Sequence, residues 1–451
     1  MRDLRPLFDP RSVAVLGASN DPAKWGQWIA EGALRGAHRR DVWLVNRGGG
    51  EILGQATFRS LGELPGVPEV VVVALPEAAF EDAVDAALEA GARAIVAITA
   101  GLGEVDEAGR AREAAVVERV RAAGAVLLGP NCLGTYDAAA ELDLGANDFT
   151  PGSIGVISQS GNLAVELSLL AADYGLGVSR FASLGNQADL EAAELVEAFA
   201  AHPETRVIAV YVEDFRDGRA FARAGAAAVT QGKQVIVLAA GGSEAGSRAA
   251  ASHTGALVSD SAAIDAACRM AGVLRAATPK ELVDLAAAAL ARSRPRGHRV
   301  AIVGDGGGTG VVASDLAAAV SLELPRLSDA LGGRLRAVAA NAATANPVDL
   351  AGAGEEVRVR APCPARRRRS PQGDDCERRV GIRLRGGNAR DPAPSRRGAA
   401  GAQALESSGL IQAERSGLPP AAGSAPGQFA ADALSQKLCP LLTLYEPEIQ
   451  Q

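Results

Sequence analysis

The chain has 451 residues, too many for one ordinary domain, so two or three are expected. Its residues are 48% hydrophobic and 22% charged, ample for buried cores, while a net charge of −7 and 4% aromatics argue against a nucleic-acid binder. The first residues carry no apolar signal core, no apolar run is long enough for a bilayer, and five scattered cysteines show neither metal-ligand nor disulfide spacing. A cytoplasmic protein is expected, with reduced thiols, no metal site, no nucleic-acid partner and no membrane partner.

The first predicted strand, Ser12-Val13-Ala14-Val15-Leu16, runs into the turn Gly17-Ala18-Ser19, with Lys24 and Gly26 downstream. Further strands are expected at 42–45, 70–74, 94–98 and 125–128, with an alanine-rich helix at 80–90. Short apolar strands alternating with amphipathic helices indicate an α/β fold with parallel sheets covered on both faces. The first turn lacks the third glycine of the dinucleotide fingerprint. Its amides and a helix start would still favour an anionic phosphate, and Lys24 adds positive charge; an ordinary tight turn is the alternative. The turns Thr99-Ala100-Gly101-Leu102-Gly103-Glu104 and Gly129-Pro130-Asn131-Cys132-Leu133-Gly134 follow strands, at the edge where such sheets bind ligands. Cys132 has no histidine near it in sequence, so it reads as a packed structural cysteine rather than a catalytic thiol.

Pro151 and Gly152 mark a boundary, and the second block opens with Ile154-Gly155-Val156-Ile157 followed by Ser158-Gln159-Ser160-Gly161-Asn162. A helix beginning at Gly161 would aim free N–H groups at a bound anion. A helix at 188–201 and strands at 207–212 and 235–238 follow, and Glu213 stands at a strand end. Ala250-Ala251-Ser252-His253-Thr254-Gly255-Ala256-Leu257 then places one of only four histidines among small residues. Such a loop leaves room for a bulky group on a nucleophilic imidazole; a loop histidine bonded to nearby backbone is the other reading.

Beyond Ser293-Arg294-Pro295-Arg296-Gly297, the strand Val300-Ala301-Ile302-Val303 leads into Gly306-Gly307-Gly308-Thr309, a second helix start of the same kind. The βα pattern lasts to Leu350. After Glu356 it gives way to arginine and proline, including Arg366-Arg367-Arg368-Arg369. A basic disordered tail is one reading. A reading-frame shift that ends the domain mid-fold is the preferred one, because a half-built domain leaves apolar surface uncovered.

In this order the motifs resemble the NDP-forming acyl-CoA synthetases, the ADP-forming acetate–CoA ligase branch of the succinyl-CoA synthetase superfamily, over roughly 4–356. The resemblance implies a Rossmann-like CoA-binding domain (1–148), a flavodoxin-like domain with a phosphohistidine (149–293), an incomplete second flavodoxin-like domain (294–356) and the tail (357–451). It implies a coenzyme A pocket at Gly17, Ala18, Ser19, Lys24, Pro76, Gly101, Asn131 and Cys132. It implies two facing helix starts for phosphate, Ser160, Gly161 and Asn162 with Gly307, Gly308 and Thr309. Catalysis would fall to His253, with Glu213 bonded to its imidazole. The implied reaction converts acyl-CoA, ADP and phosphate to acid, CoA and ATP, reversibly, through acyl phosphate and phosphohistidine. ADP, ATP and Mg would be handled by an ATP-grasp β partner in a hetero- or homo-oligomer. Family members carry a lysine and an arginine where Ala239 and Gly242 stand, so a non-catalytic CoA-binding protein is the alternative. A dinucleotide-dependent dehydrogenase would want an acid where Val45-Asn46-Arg47 stands.

Overall fold

The computed structural model describes residues 2–145, 148–240, 261–291, 297–304 and 306–351. The chain divides into two units, Met1–Arg292 and Ser293–Gln451. The first begins with α1 (Arg5–Phe8), β1 (Ser12–Leu16), α2 (Trp25–Arg35), β2 (Asp41–Val45) and a hairpin of β3 (Glu51–Ile52) and β4 (Gln55–Ala56). It continues with β5 (Val70–Val73), α3 (Phe80–Glu89), β6 (Ala94–Ala97), α4 (Glu107–Ala122) and β7 (Val126–Leu128). These build a parallel five-stranded sheet in the order β2-β1-β5-β6-β7. β5 is four valines, all fully buried, because a parallel strand covered on both faces has no solvent side.

The chain then forms β8 (Thr135–Asp137), β9 (Leu142–Asp143), β10 (Pro151–Ser158), α5 (Gly161–Asp173), β11 (Val178–Ser183), α6 (Ala192–Ala200) and β12 (Val207–Val212). α7 (Gly218–Thr230), β13 (Gln234–Ala239), α8 (Ser261–Ala271), β14 (Leu274–Ala276) and α9 (Pro279–Leu290) complete the unit. The second sheet runs β14-β13-β12-β10-β11-β8-β9, with β8 and β9 antiparallel at one edge. Helix starts follow local chemistry. Thr278 caps α9 by accepting from the Glu281 amide with Pro279 at the first position, and Asp106 caps α4 through the Gly109 amide.

Strand order locates the crevices. From β1 the chain crosses to β2 on one side and later returns to β5 on the other, so the first sheet switches direction between β1 and β5. In the second sheet β10 connects towards β11 and β12 towards β13, so the switch lies between β10 and β12. Ligands of open α/β sheets bind outside the carboxyl ends of strands at such points.

A domain boundary is expected at 148/149, yet β8 and β9 precede it and pair into the second sheet, β8 lying antiparallel to β11. These short strands cover an edge that would otherwise expose backbone donors and acceptors. The second unit holds β15 (Val303–Gly304), α10 (Gly307–Ala319), α11 (Asp329–Val338) and β16 (Val348–Asp349), with β15 and β16 parallel. The strand expected at 300–303 is thus reduced to its last residue and Gly304. Its partner β16 gives Val303 and Gly304 a ladder, while the Val300 amide donates to the Glu323 carbonyl and the Val300 carbonyl accepts from Asn346 Nδ2. Val311 and Val312 of α10 and the following Val320 are 62%, 59% and 68% exposed. The expectations for 357–451 lie outside the described residues.

Candidate active site

At the first switch point Gly17 has φ +96°, and a Cβ there would sit 2.3 Å from the Ala74 carbonyl oxygen. Only glycine lets the β1 turn lie against the end of β5. A Cβ on Gly26 would sit 1.9 Å from the Gly17 carbonyl oxygen, so α2 packs directly on the turn. Gly26 therefore does the close-packing work of the third fingerprint glycine that the sequence reading found missing. Lys24 occupies the N-cap of α2 without a side-chain cap bond, and its exposed ammonium lies 3.9 Å from Asp21. Ser19 is half-buried, its hydroxyl accepting from the Asp21 amide at 3.0 Å. Asn46, where a dinucleotide enzyme would hold an acid, instead donates Nδ2 to the Ala18 carbonyl at 2.8 Å. Ala18 needs correcting as a contact residue: it is fully buried in the core and offers a ligand no surface. Pro76 is exposed beside the same crevice, preceding a 3-10 turn at Glu77–Ala79.

The neighbouring turns hold Gly101 at φ +100°, Gly129 at +98° and Asn131 at +55°. Their amides are already engaged. Gly101 and Leu102 donate to Glu104 at 2.6 and 3.2 Å, and Gly103 donates to Glu113 at 2.9 Å. Asn186 Nδ2 donates to both carboxylates, at 2.6 Å each. Burial raises the Glu113 pKa; for Glu104 burial opposes the charge, but hydrogen bonds from Gly101, Asn186 and Leu102 outweigh it and lower the pKa. Cys132 also needs correcting: it is buried, its thiol lies 3.2 Å from the Ala97 carbonyl, and burial pushes its pKa up to about 12. Such a thiol packs and does not react, as its isolation from histidine in the sequence suggested. Asn131 keeps partial exposure, with its amide on the Thr99 carbonyl at 2.8 Å. The sequence reading missed Glu104, Glu113 and Asn186; an acid three residues after the turn glycine was the one available sign.

At the second switch point Ser160 caps α5, accepting from the Leu163 amide at 3.4 Å. A Cβ on Gly161 would strike Leu133 at 2.3 Å, so glycine lets the helix start close against the 129–134 turn. Asn162 is exposed. Gln159 Oε1 accepts from the Glu213 and Asp214 amides, which binds the β10 turn to the end of β12. Glu213 is 8% exposed, and Tyr211 donates its hydroxyl to Glu213 Oε1 at 3.2 Å. Burial, then the Glu213 charge, raises the Tyr211 pKa, so the phenol stays a donor. Beside them Ala239 ends β13, and the Ala240 amide bonds the Val212 carbonyl at 2.9 Å. Gly242 and His253 lie outside the described residues, in the stretch that leaves from Ala240 and returns at Ser261. In the second unit Gly307, Gly308 and Thr309 are exposed at the start of α10, which Gly306 caps without a side-chain bond.

Residues 11–138 match the CoA binding domain family, and residues 151–289 match the succinyl-CoA ligase like flavodoxin domain family. The alpha subunit of ADP-forming acetate–CoA ligase II from Pyrococcus furiosus is 38% identical over 348 residues, 76% of this chain and 75% of that one. The chain belongs to the ADP-forming acid–CoA ligases. A solved relative is acetyl-coenzyme A synthetase 1 of Ca. Korarchaeum cryptofilum in complex with phosphate and ADP, with TM-score 0.70 and 32% identity, covering 78% of this chain and 76% of that one. A trans-feruloyl-CoA synthase from an unknown prokaryotic organism is 32% identical, matching 77% of this chain and 50% of its own length. Coenzyme A is thus the cofactor of this acid–CoA ligase, whose first sheet carries the CoA-binding fold and whose second the ligase fold. Its α/β architecture is the expected one, and a non-catalytic CoA-binding role is not favoured.

Proposed function

We propose that this acid–CoA ligase chain performs the acyl-phosphate and phosphohistidine half of the reaction. A phosphate oxygen attacks the thioester carbonyl of acyl-CoA; the C–S bond breaks, and the CoA thiolate takes a proton released by the phosphate. An imidazole nitrogen of His253 then attacks phosphorus, the P–O bond to the acyl group breaks, and the carboxylate leaves. The phosphoryl group finally passes to ADP, held with Mg on an ATP-grasp partner in a hetero-oligomer. Small carboxylic acids are the substrate class suggested by relatives that act on acetate and a feruloyl group. Reduced thiols in a cytoplasmic setting fit this chemistry.

The observation that carries the reading is convergence at the β10/β12 switch point. Ser160, Gly161 and Asn162 present the start of a 13-residue helix there, and Glu213 stands one residue beyond β12. The segment bearing His253 departs from the adjoining strand β13. A helix start stabilises phosphoryl charge, and a buried carboxylate can fix an imidazole tautomer and support its positive form. The start of α10, with Gly307, Gly308 and Thr309, is assigned a second phosphate-holding role. Gly17, Ser19, Lys24, Pro76, Gly101 and Asn131 are assigned to coenzyme A, their turns lying at the carboxyl edge of the first sheet.

The test is phosphohistidine formation. The chain is incubated with acetyl-CoA and labelled phosphate beside His253→Ala. Acid-labile, base-stable label on the parent and none on the variant is expected. A parent that binds CoA yet takes no label overturns the relay.

A further inference from the structure

Asn186 lies in the segment after β11, where the second sheet's connection meets the first sheet's carboxyl edge. Its backbone amide donates to the Pro130 carbonyl at 2.9 Å, and its side-chain oxygen accepts from Asn131 Nδ2 at 3.2 Å. Its Nδ2 spends one hydrogen on Glu104 and one on Glu113, the two carboxylates that hold the amides of Gly101, Leu102 and Gly103. Its carbonyl accepts from Arg216 Nη2 at 3.2 Å, and Arg216 pairs with Asp214 at 3.4 Å. The next residue, Gln187, donates to the Asp214 carbonyl at 2.9 Å and is 2% exposed. Asp214 in turn shares Gln159 with Glu213. A continuous chain of bonds therefore runs from the Gly101 and Asn131 turns to the strand end of Glu213.

We infer that Asn186 is a positioning residue that joins the coenzyme-side turns to the strand end bearing Glu213, an inference that rests on the function proposed above. A neutral amide is the group this place requires. It must donate twice to two acids and accept once from Asn131, and no single charged side chain does both. Without it Glu104 and Glu113 face each other with one donor fewer apiece, and their hold on the glycine amides loosens. Positioning of this kind acts on catalysis through small displacements, since a 1 Å misplacement costs on the order of 100-fold.

The experiment uses the full chain with Asn186→Ala and Asn186→Asp. CoA affinity is read by calorimetry and His253 labelling at saturating acetyl-CoA by phosphate incorporation, both between pH 6 and pH 8. Asn186→Ala is expected to melt near the parent temperature, to bind CoA at least about tenfold more weakly and to label about tenfold more slowly, as loss of a positioning contact would give. Asn186→Asp should match it at pH 8, where a third carboxylate meets Glu104 and Glu113. It should recover towards pH 6 as a shared proton restores a donor. The other charged groups facing the cluster are Arg216 and Arg110, the latter bonded to the Gly103 carbonyl. CoA binding and labelling within twofold of the parent in Asn186→Ala would overturn the inference. So would an Asn186→Asp profile with no recovery, the mark of a purely structural residue. A parent that binds CoA but takes no label breaks the relay alone, and the CoA affinities still decide the role of Asn186. A parent that binds no CoA overturns both.

Discussion

His202 is buried, with Nε2 3.6 Å from Asp137 and Nδ1 2.8 Å from the Thr205 hydroxyl, while Asp137 is held by Arg180 at 2.6 Å. Burial, then the Arg180 charge, lowers its pKa from the ordinary 6.5. A lowered histidine pKa means the unfolded chain binds the proton more readily. This contribution to stability is therefore complete above about 6.5 and is lost as pH falls through the lower folded value. Between pH 7.5 and 5 the gap in melting temperature between parent and His202→Gln should shrink; a gap that stays constant would sink this account. At Cys132 the raised pKa predicts inertness. Cys132→Ala should keep parental label formation and cost about 1–2 kcal/mol in urea unfolding, the ordinary range for a small buried truncation. Glu213→Gln should retain CoA binding but lower the labelling rate by about 10²–10⁴-fold, the range for disabling an acid–base residue or the acid that orients it. Equal labelling would remove Glu213 from the mechanism.

Glycines decide how close the elements come. Gly26 brings α2 onto the Gly17 carbonyl, and Gly17 brings the β1 turn onto Ala74. Gly232 has φ +81° but nothing within 4 Å of its would-be Cβ. The three separate conformational strain from steric approach. Gly232→Ala should cost only the left-handed strain, about 1–2 kcal/mol, and leave CoA affinity unchanged. Gly26→Ala has no positive φ to strain, yet it must push α2 off the turn, and CoA affinity measured by calorimetry should fall at least about tenfold if that helix start holds phosphate. Unchanged affinity in Gly26→Ala would remove α2 from the coenzyme site.

The first unit contains two sheets locked by one buried carboxylate. Asp189 has a fully buried side chain that pairs with Arg2 and Arg121 at 2.7 Å each and accepts from the Leu127 amide at 2.9 Å. The Leu190 amide returns to the Leu127 carbonyl, and Ala188 and Asn186 bond to Gly129 and Pro130. Asp189→Ala would leave two arginines and a β7 amide without their common acceptor. Breaking a fully buried pair costs about 3–5 kcal/mol, and the partial exposure of Arg2 and Arg121, 30% and 55%, places this loss at or below the lower end. Urea unfolding followed by circular dichroism checks it, and a loss below about 0.5 kcal/mol would show that surface-like screening prevails. The second unit shows the opposite balance. Among its described residues Val311 and Val312 of α10 are exposed, and β15 and β16 pair over two residues each.

Much of this was legible along the chain because the rules involved are local. β-branched runs, glycine turns and helix starts repeat with the periods of parallel α/β folding, so Val70–Val73, Gly17, Gly101 and Ser160–Gly161 could be placed before any contact was known. The same locality made Glu213 visible as a strand-end acid. Tertiary structure decided what depends on strand order and on residues far apart. It put β8 and β9 on the second sheet, gave Gly26 the work of an absent fingerprint glycine, and buried Ala18 and Cys132 beneath the turns they belong to. It also brought Asn186 between Glu104 and Glu113, 82 and 73 residues away. No spacing rule announces such a junction, because a side-chain amide is chosen by the geometry of its partners and those partners meet only when both sheets have formed.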